Sequence, residues 1–398
     1  MTVLIKSPML NSMTEEDKRV LGADAPAIVR RYLSLWQTIH PTPLIPLPEI
    51  AQRANVQSVT IKDEGARLGL GSFKALGGAY AVMRIFHEKL QDYLGKQVPI
   101  EELMTAHARK FAKTVTFCCA TDGNHGKSVA AGARILGCRS AIFVHQGVTE
   151  ARASAIGSDL TVRVPGNYDD SVAEAERVAR EKNWILVSDT SWPGYEEYPS
   201  IVAQGYTVLA DEVLEQYSKA DLAWPTHVFL QAGVGGFASS VSSHLVARLG
   251  RNNIRTVVVE PDRAACLFES VIGGGLTTSK ATSPTIMAML ECYTPSLVGW
   301  RILQTTADAF MTITDDDAKI AMRELAYRKH DPVVSGESGA AGLAGLLKVA
   351  KDPSSRKIIG LDDSSRVLLV NTETATDPSS YCSIVGQYPV TVESRCHN

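Results

Sequence analysis

The 398-residue sequence has no surplus of charge: 40 basic and 43 acidic side chains leave a formal net charge of −3. That balance offers no electrostatic footprint for nucleic acid, and without a polybasic run there is none for a membrane surface. Long apolar runs are also missing. The opening "MTVLIKSPML" lacks the apolar core of a secretory leader, and no later stretch is long and apolar enough to span a bilayer, so a cytoplasmic location is expected. The seven cysteines show no CxxC spacing; Cys118 and Cys119 are adjacent and the rest are scattered. A disulfide framework and a zinc site are thereby disfavoured, and reduced, mostly buried thiols are expected. HExxH and Ser-His-Asp patterns, internal repeats and low-complexity tracts are absent as well. The acidic triplet Asp315 to Asp317 reads as a solvated helix start and not as a metal site. What remains is a globular chain whose partner is a small molecule, with no metal, nucleic acid or membrane implied.

Short apolar runs alternate with helical periodicity. Strands are expected at 59–63, 114–120, 140–145, 159–164, 184–188, 226–232, 255–260 and 367–371, with helices such as 124–136 and 169–182 between them. This alternation predicts an α/β architecture with largely parallel sheets, and a length sufficient for two domains. Ligands of such sheets collect at the carboxyl ends of strands, which directs attention to the loops that follow them.

Three segments carry chemistry. "GLGSFKALGG" (69–78) crowds Lys74 between glycines and Phe73, so that Gly69, Gly71, Gly77 and Gly78 remove bulk while Phe73 supplies an apolar flank. A partly desolvated, reachable amine is a nucleophile. "QAGVGGFASS" (231–240) follows a strand and opens a helix; Gly233, Val234, Gly235 and Gly236 offer converging backbone N–H groups at a helix N-terminus, a phosphate cradle in physical terms. It is neither GxGxxG nor a Walker loop, and a tight strand-to-helix turn accounts for it equally well when taken alone. "ATDGNHGKS" (120–128) presents Asp122, Asn124 and His125 at another strand end. "VVVEPD" places Glu260 like a ribose-binding acid, but no dinucleotide fingerprint precedes it. An amine-reactive lysine, an anion nest and an amide-bearing loop together describe a flat ring with an aldehyde, a phosphate and a hydroxyl: pyridoxal 5'-phosphate.

These motifs also carry a resemblance. "KDEGARLGLGSFKALGGAY", "DGNHG" and "GVGG" resemble, in order, the lysine, asparagine and phosphate segments of the fold type II (tryptophan synthase β-like) pyridoxal-phosphate enzymes, and the opening "HPTPLIPLPEI" is also similar to that family. Asp122, "SDTSWPGYEEYP" (188–199), "TIMAMLECYTPSLVGW" (285–300) and "SGESGAAGL" (335–343) resemble the diaminopropionate ammonia-lyase branch of that family. The resemblance implies a Schiff base on Lys74, Asn124 on the ring hydroxyl, the phosphate on Gly233 to Gly236, and Thr372 at the pyridine nitrogen. "NTETATD" departs from the usual Ser-Gly-Gly or Thr-Gly-His ending around that last residue. It further implies α,β-elimination of 2,3-diaminopropionate to pyruvate and ammonia. Lys74 would then be the base for the L isomer, with Asp122 for the opposite face or for the distal ammonium, and Asp189 near that ammonium. The alternative within the fold is a threonine, serine or 3-hydroxyaspartate dehydratase. His125 is expected to support the site without taking part in catalysis. A homodimer is implied, with a small domain (81–214) inserted into a larger one (1–80 and 215–398) and the cofactor in the cleft between them.

Overall fold

A computed structural model describes residues 3–8, 12–36, 39–280 and 283–397. The chain forms two compact units, one of residues 24–40 and 67–208 and the other of residues 1–23, 41–66 and 209–398.

The larger unit is built on a seven-stranded sheet. In chain order its strands are β1 (Val3–Lys6), β2 (Leu44–Pro46), β3 (Ser58–Asp63), β8 (His227–Gln231), β9 (Arg255–Pro261), β10 (Ala309–Ile313) and β11 (Arg366–Asn371). The other unit holds β4 (Thr116–Ala120), β5 (Arg139–His145), β6 (Leu160–Val164) and β7 (Ile185–Leu186). The large sheet runs β1-β10-β9-β8-β11-β3-β2, and only its edge strands β1 and β2 are antiparallel to their neighbours. Its inner strands are buried nearly throughout, as parallel strands covered on both faces must be. The small sheet is parallel, in the order β6-β5-β4-β7.

The eight expected strands are all present, although 184–188 keeps only Ile185 and Leu186 in regular pairing before the chain turns away at Ser188. Strands β1, β2 and β10 are additional. β2 has three residues and ends in Pro46, and β10 is a five-residue apolar run, too short for periodicity to separate strand from helix. The helices over Asn124–Leu136 and Tyr168–Lys182 lie where the 3.6-residue period places them.

Two sequence features find structural uses. Asp315 to Asp317 open the helix Asp315–Ala326, where Thr314 and Asp317 cap each other reciprocally. Glu260 is fully buried and accepts from the backbone N–H groups of Leu267 (2.8 Å) and Phe268 (2.7 Å), capping the helix Cys266–Gly273 from the side. Burial pushes its carboxyl up to about 8 against those two bonds. The free cysteines among the described residues are buried except Cys382, which is half-buried.

Candidate active site

In the smaller unit, Lys74 is the first residue of the helix Lys74–Leu94. The segment before it is kinked through three left-handed residues, Leu68 (φ 51°), Gly69 (φ 71°) and Gly71 (φ 85°). A cation at a helix N-terminus opposes the helix dipole, so Lys74 costs helix stability there and is not a routine solubilising residue. Its charge is met by Asp189, which follows β7 and forms an ion pair with the Lys74 amine. Tyr168 donates to the other Asp189 oxygen at 3.2 Å. Burial by itself would push the Asp189 carboxyl up, but the Lys74 ammonium, His125 and the Tyr168 hydrogen bond together outweigh it and hold the group well below the usual carboxylate range.

Phe73 is buried and packs edge-on against Tyr206, with ring centroids 4.7 Å apart and the Lys74 amine 5.7 Å from its own ring centre. The glycines after Lys74 have a different use from the one the sequence suggests. A Cβ on Gly77 would fall 2.4 Å from the Tyr206 ring, and one on Gly78 would fall 2.7 Å from the Ser128 hydroxyl. They let the helix Lys74–Leu94 pack closely on its neighbours, and the lysine is positioned by that packing.

The small sheet explains why separate sequence segments meet. β5, β4 and β7 are adjacent and parallel, so their carboxyl ends deliver His145, the loop 121–124 and Asp189 to one side. Thr121 shapes the loop after β4: its hydroxyl accepts from the N–H groups of Gly123 (2.9 Å) and Gly126 (3.0 Å). Asn124 starts the next helix and is buried. The Asp122 carboxylate lies 3.0 Å from Nε2 of His145. His125 is also buried and donates from Nε2 to the Val187 carbonyl at 2.7 Å. Burial pulls its pKa down, which keeps the ring neutral.

In the larger unit the loop after β8 leads into the helix Gly236–Leu249. Gly235 has φ 99°, a conformation that a side chain would strain, and its neighbour Val234 is held through its carbonyl by the Ser296 N–H at 2.9 Å. Val234 therefore adds a side chain without removing a main-chain donor. Thr372 follows β11, the neighbour of β8. Its buried hydroxyl oxygen accepts from Nε2 of Gln231 at 3.0 Å. The same amide nitrogen contacts the carbonyls of Gly339 and Val370 at 3.0 Å and Ser338 at 3.3 Å, which fixes the amide orientation because all its partners are acceptors.

Taken unit by unit, these residues are of the kinds that pyridoxal 5'-phosphate requires. The smaller unit has a lysine amine at a helix start, and the larger unit has a glycine loop at a helix N-terminus and a Thr372 hydroxyl that accepts a hydrogen bond and keeps its own hydrogen to donate. Tyr168, Tyr206, Gln231 and His145 did not emerge from the sequence. His145, as the last residue of a parallel strand, is the one whose position alone was a usable signal.

A family model described as pyridoxal-phosphate dependent enzyme matches residues 35–373. The chain is 37% identical over 354 residues to the diaminopropionate ammonia-lyase of Escherichia coli K12, covering 87% of each. It is 38% identical over 355 residues to that of Salmonella typhimurium, covering 86% of this chain and 87% of the relative. A crystal structure of the Escherichia coli enzyme, in complex with an aminoacrylate-PLP azomethine reaction intermediate, superposes with a TM-score of 0.86 at 34% identity over 97% of each chain. The chain belongs to the pyridoxal-phosphate dependent enzymes of fold type II, on the diaminopropionate ammonia-lyase branch.

Proposed function

We propose that this protein eliminates ammonia from 2,3-diaminopropionate and releases pyruvate and a second ammonia, with one water consumed. The observation that carries the reading is the pairing of the Lys74 amine with the buried Asp189, with a second carboxylate, Asp122, in the loop on the neighbouring strand. A substrate with an extra ammonium suits two carboxylates; a hydroxyl substrate has no use for the second.

Lys74 would hold the cofactor aldehyde, Asn124 its ring hydroxyl, Gly233 to Gly236 its phosphate and Thr372 its ring nitrogen, with Phe73 as the apolar flank. When bound, the cofactor supplies the electron sink for the charge that develops at Cα. Thr372 donates a neutral hydrogen bond and does not enforce a cationic ring, so that sink is moderate and suited to losing a β-leaving group. Once the substrate amine displaces it, the Lys74 amine stays beside Asp189 and accepts the Cα proton of the L isomer. Asp122 accepts it from the opposite face, for the D isomer. Asp189 draws the distal ammonium into place; the Cβ–N bond then breaks with both electrons leaving on nitrogen, so the ammonium departs as neutral ammonia.

The reading extends to a homodimer in the cytoplasm. Free, mostly buried thiols suit a reducing compartment, and no described helix is long and apolar enough to cross a membrane. Sedimentation of the holoprotein measures the subunit number. The deciding experiment is pyruvate release from a panel of D- and L-2,3-diaminopropionate, threonine, serine and 3-hydroxyaspartate. The diamine is expected to have the highest kcat/KM; a hydroxy amino acid in first place overturns the reading.

A further inference from the structure

We propose that a cavity at the amino ends of strands β8, β9 and β11 binds a small carboxylate with an aromatic or aliphatic body. This site stands whichever substrate the protein takes.

The cavity has a volume of about 530 Å³, the size of small-molecule sites. Its place follows from the strand order. β9, β8 and β11 are adjacent and parallel, and Arg255, His227 and Arg366 are their first residues, so the three come together at one edge of the large sheet, where all of them line the cavity. The glycine loop and Thr372 follow the opposite ends of β8 and β11. His227 to Gln231 alone is about 13 Å of strand at the usual rise per residue. An occupant of the cavity therefore does not touch the larger unit's residues proposed to hold the cofactor.

Two guanidinium groups in the lining are only partly engaged. Arg366 donates from Nε to the Trp224 carbonyl (2.7 Å) and from Nη1 to Gln57 Oε1 (3.1 Å) and the Ser364 carbonyl (3.4 Å). These neutral acceptors orient the group without cancelling its charge, and among the described residues it has no acidic partner. Arg255 uses Nη1 on Asp308 at 3.1 Å, and that carboxylate is shared with Arg251 at 3.1 Å. Its Nε and Nη2, the two-donor edge that matches a carboxylate, have no partner among the described residues. The one acid in the lining, Asp362, turns Oδ1 to the hydroxyls of Ser364 (2.8 Å) and Ser365 (2.9 Å) in its own loop. His227 is buried, which pulls its pKa down and keeps its ring neutral. Two cations against one acid leave a single positive charge in surplus, which suits a monoanion.

The remaining lining suits an apolar body. Trp224 stacks on Tyr217 with ring centroids 6.3 Å apart, yet 43% of it stays exposed, and Leu249 and Ile359 add aliphatic surface. A bare inorganic anion would leave that surface in water, whereas a carboxylate carrying a ring or branched chain covers it.

The test titrates the holoprotein with 3-phenylpropionate, its neutral analogue 3-phenylpropionamide and inorganic phosphate, by calorimetry and by tryptophan fluorescence. 3-Phenylpropionate is expected to saturate one site per chain and to change the fluorescence of the wild type, a change expected to vanish in Trp224→Phe. The amide lacks the charge and phosphate lacks the apolar body, so each is expected to bind about tenfold more weakly or worse. Arg255→Gln is expected to weaken 3-phenylpropionate on the order of tenfold, the scale of one charge-assisted hydrogen bond, and to keep the imine absorbance of the holoprotein, because Asp308 retains Arg251. The proposal is overturned if 3-phenylpropionate does not saturate, if the amide or phosphate binds as well, or if Arg255→Gln keeps both the absorbance and full affinity. A fluorescence change that persists in Trp224→Phe overturns it independently of the arginine variant.

Discussion

Lys74 sits at a position that a helix disfavours for a cation, and Asp189 offsets that cost. Two outcomes follow at the level of single residues. Lys74→Ala is expected to abolish the imine absorbance of the holoprotein, its sensitivity to borohydride, and pyruvate release; a variant that keeps the yellow band would refute the role of this lysine. Asp189 has a depressed carboxyl in the cofactor-free protein, so its pairing stabilises the fold above the ordinary carboxylate range near pH 4 and is lost as pH falls through the lower folded value. Urea titrations of the cofactor-free wild type and Asp189→Asn should accordingly differ at neutral pH and converge under strong acid. A difference that grows on acidification would contradict the pairing.

Helices and strands bring other groups into play. Gly78 packs against Ser128, and Gly78→Ala is expected to cost about 1–3 kcal/mol in chemical denaturation, since the added methyl has backbone as well as a hydroxyl in its way. Under the floor of the larger unit, Lys62 donates to Glu212 at 2.8 Å and to the Thr42 carbonyl at 2.7 Å, with both charged side chains buried. Lys62→Met strands the Glu212 charge and should cost about 3–5 kcal/mol, and Lys62→Met with Glu212→Leu should recover most of it. Glu260 behaves oppositely to Asp189. Its folded pKa is raised to about 8, so its burial is most favourable below its ordinary value and is lost as pH rises toward 8. Glu260→Gln keeps one of the two acceptors and sets an NH2 against the other backbone N–H, which lowers stability at every pH, but it should flatten the decline in stability between about pH 4.5 and 8. An unchanged slope would show that Glu260 is ionised throughout.

At the scale of the whole molecule, each unit carries its own part of the proposed assignment: Lys74 and Asn124 lie in one, Gly233 to Gly236 and Thr372 in the other. Hydrogen exchange with saturating pyridoxal 5'-phosphate should protect amides around 121–126 in the smaller unit and amides around 233–240 in the larger. An unprotected segment would refute the assignment made in that unit. Much of this plan was legible in the chain. The buried parallel strands are apolar runs bounded by turn residues, and the helix Asn124–Leu136 announces itself by its period and by Gly137, so the α/β class and the loops at strand ends follow from local pattern. Strand β2 was not legible, because three residues ending in proline become a strand only when β3 is present to pair with them. The use of Gly77 and Gly78 was hidden for a similar reason: Tyr206 and Ser128 lie far away in sequence and close in space.

The sequence alone determined the chemistry available to this protein, because a nucleophilic lysine among glycines, a glycine nest at a strand end and an asparagine loop are local features whose spacing survives in one dimension. The tertiary structure decided which groups act on one another. His145 comes within 3.0 Å of Asp122, and Gln231 reaches Thr372, because neighbouring parallel strands place their carboxyl ends side by side; Asp189 reaches Lys74 because the helix Lys74–Leu94 packs closely on its neighbours through Gly77 and Gly78. Strand order is set by long-range pairing and burial, and no local run of residues encodes it.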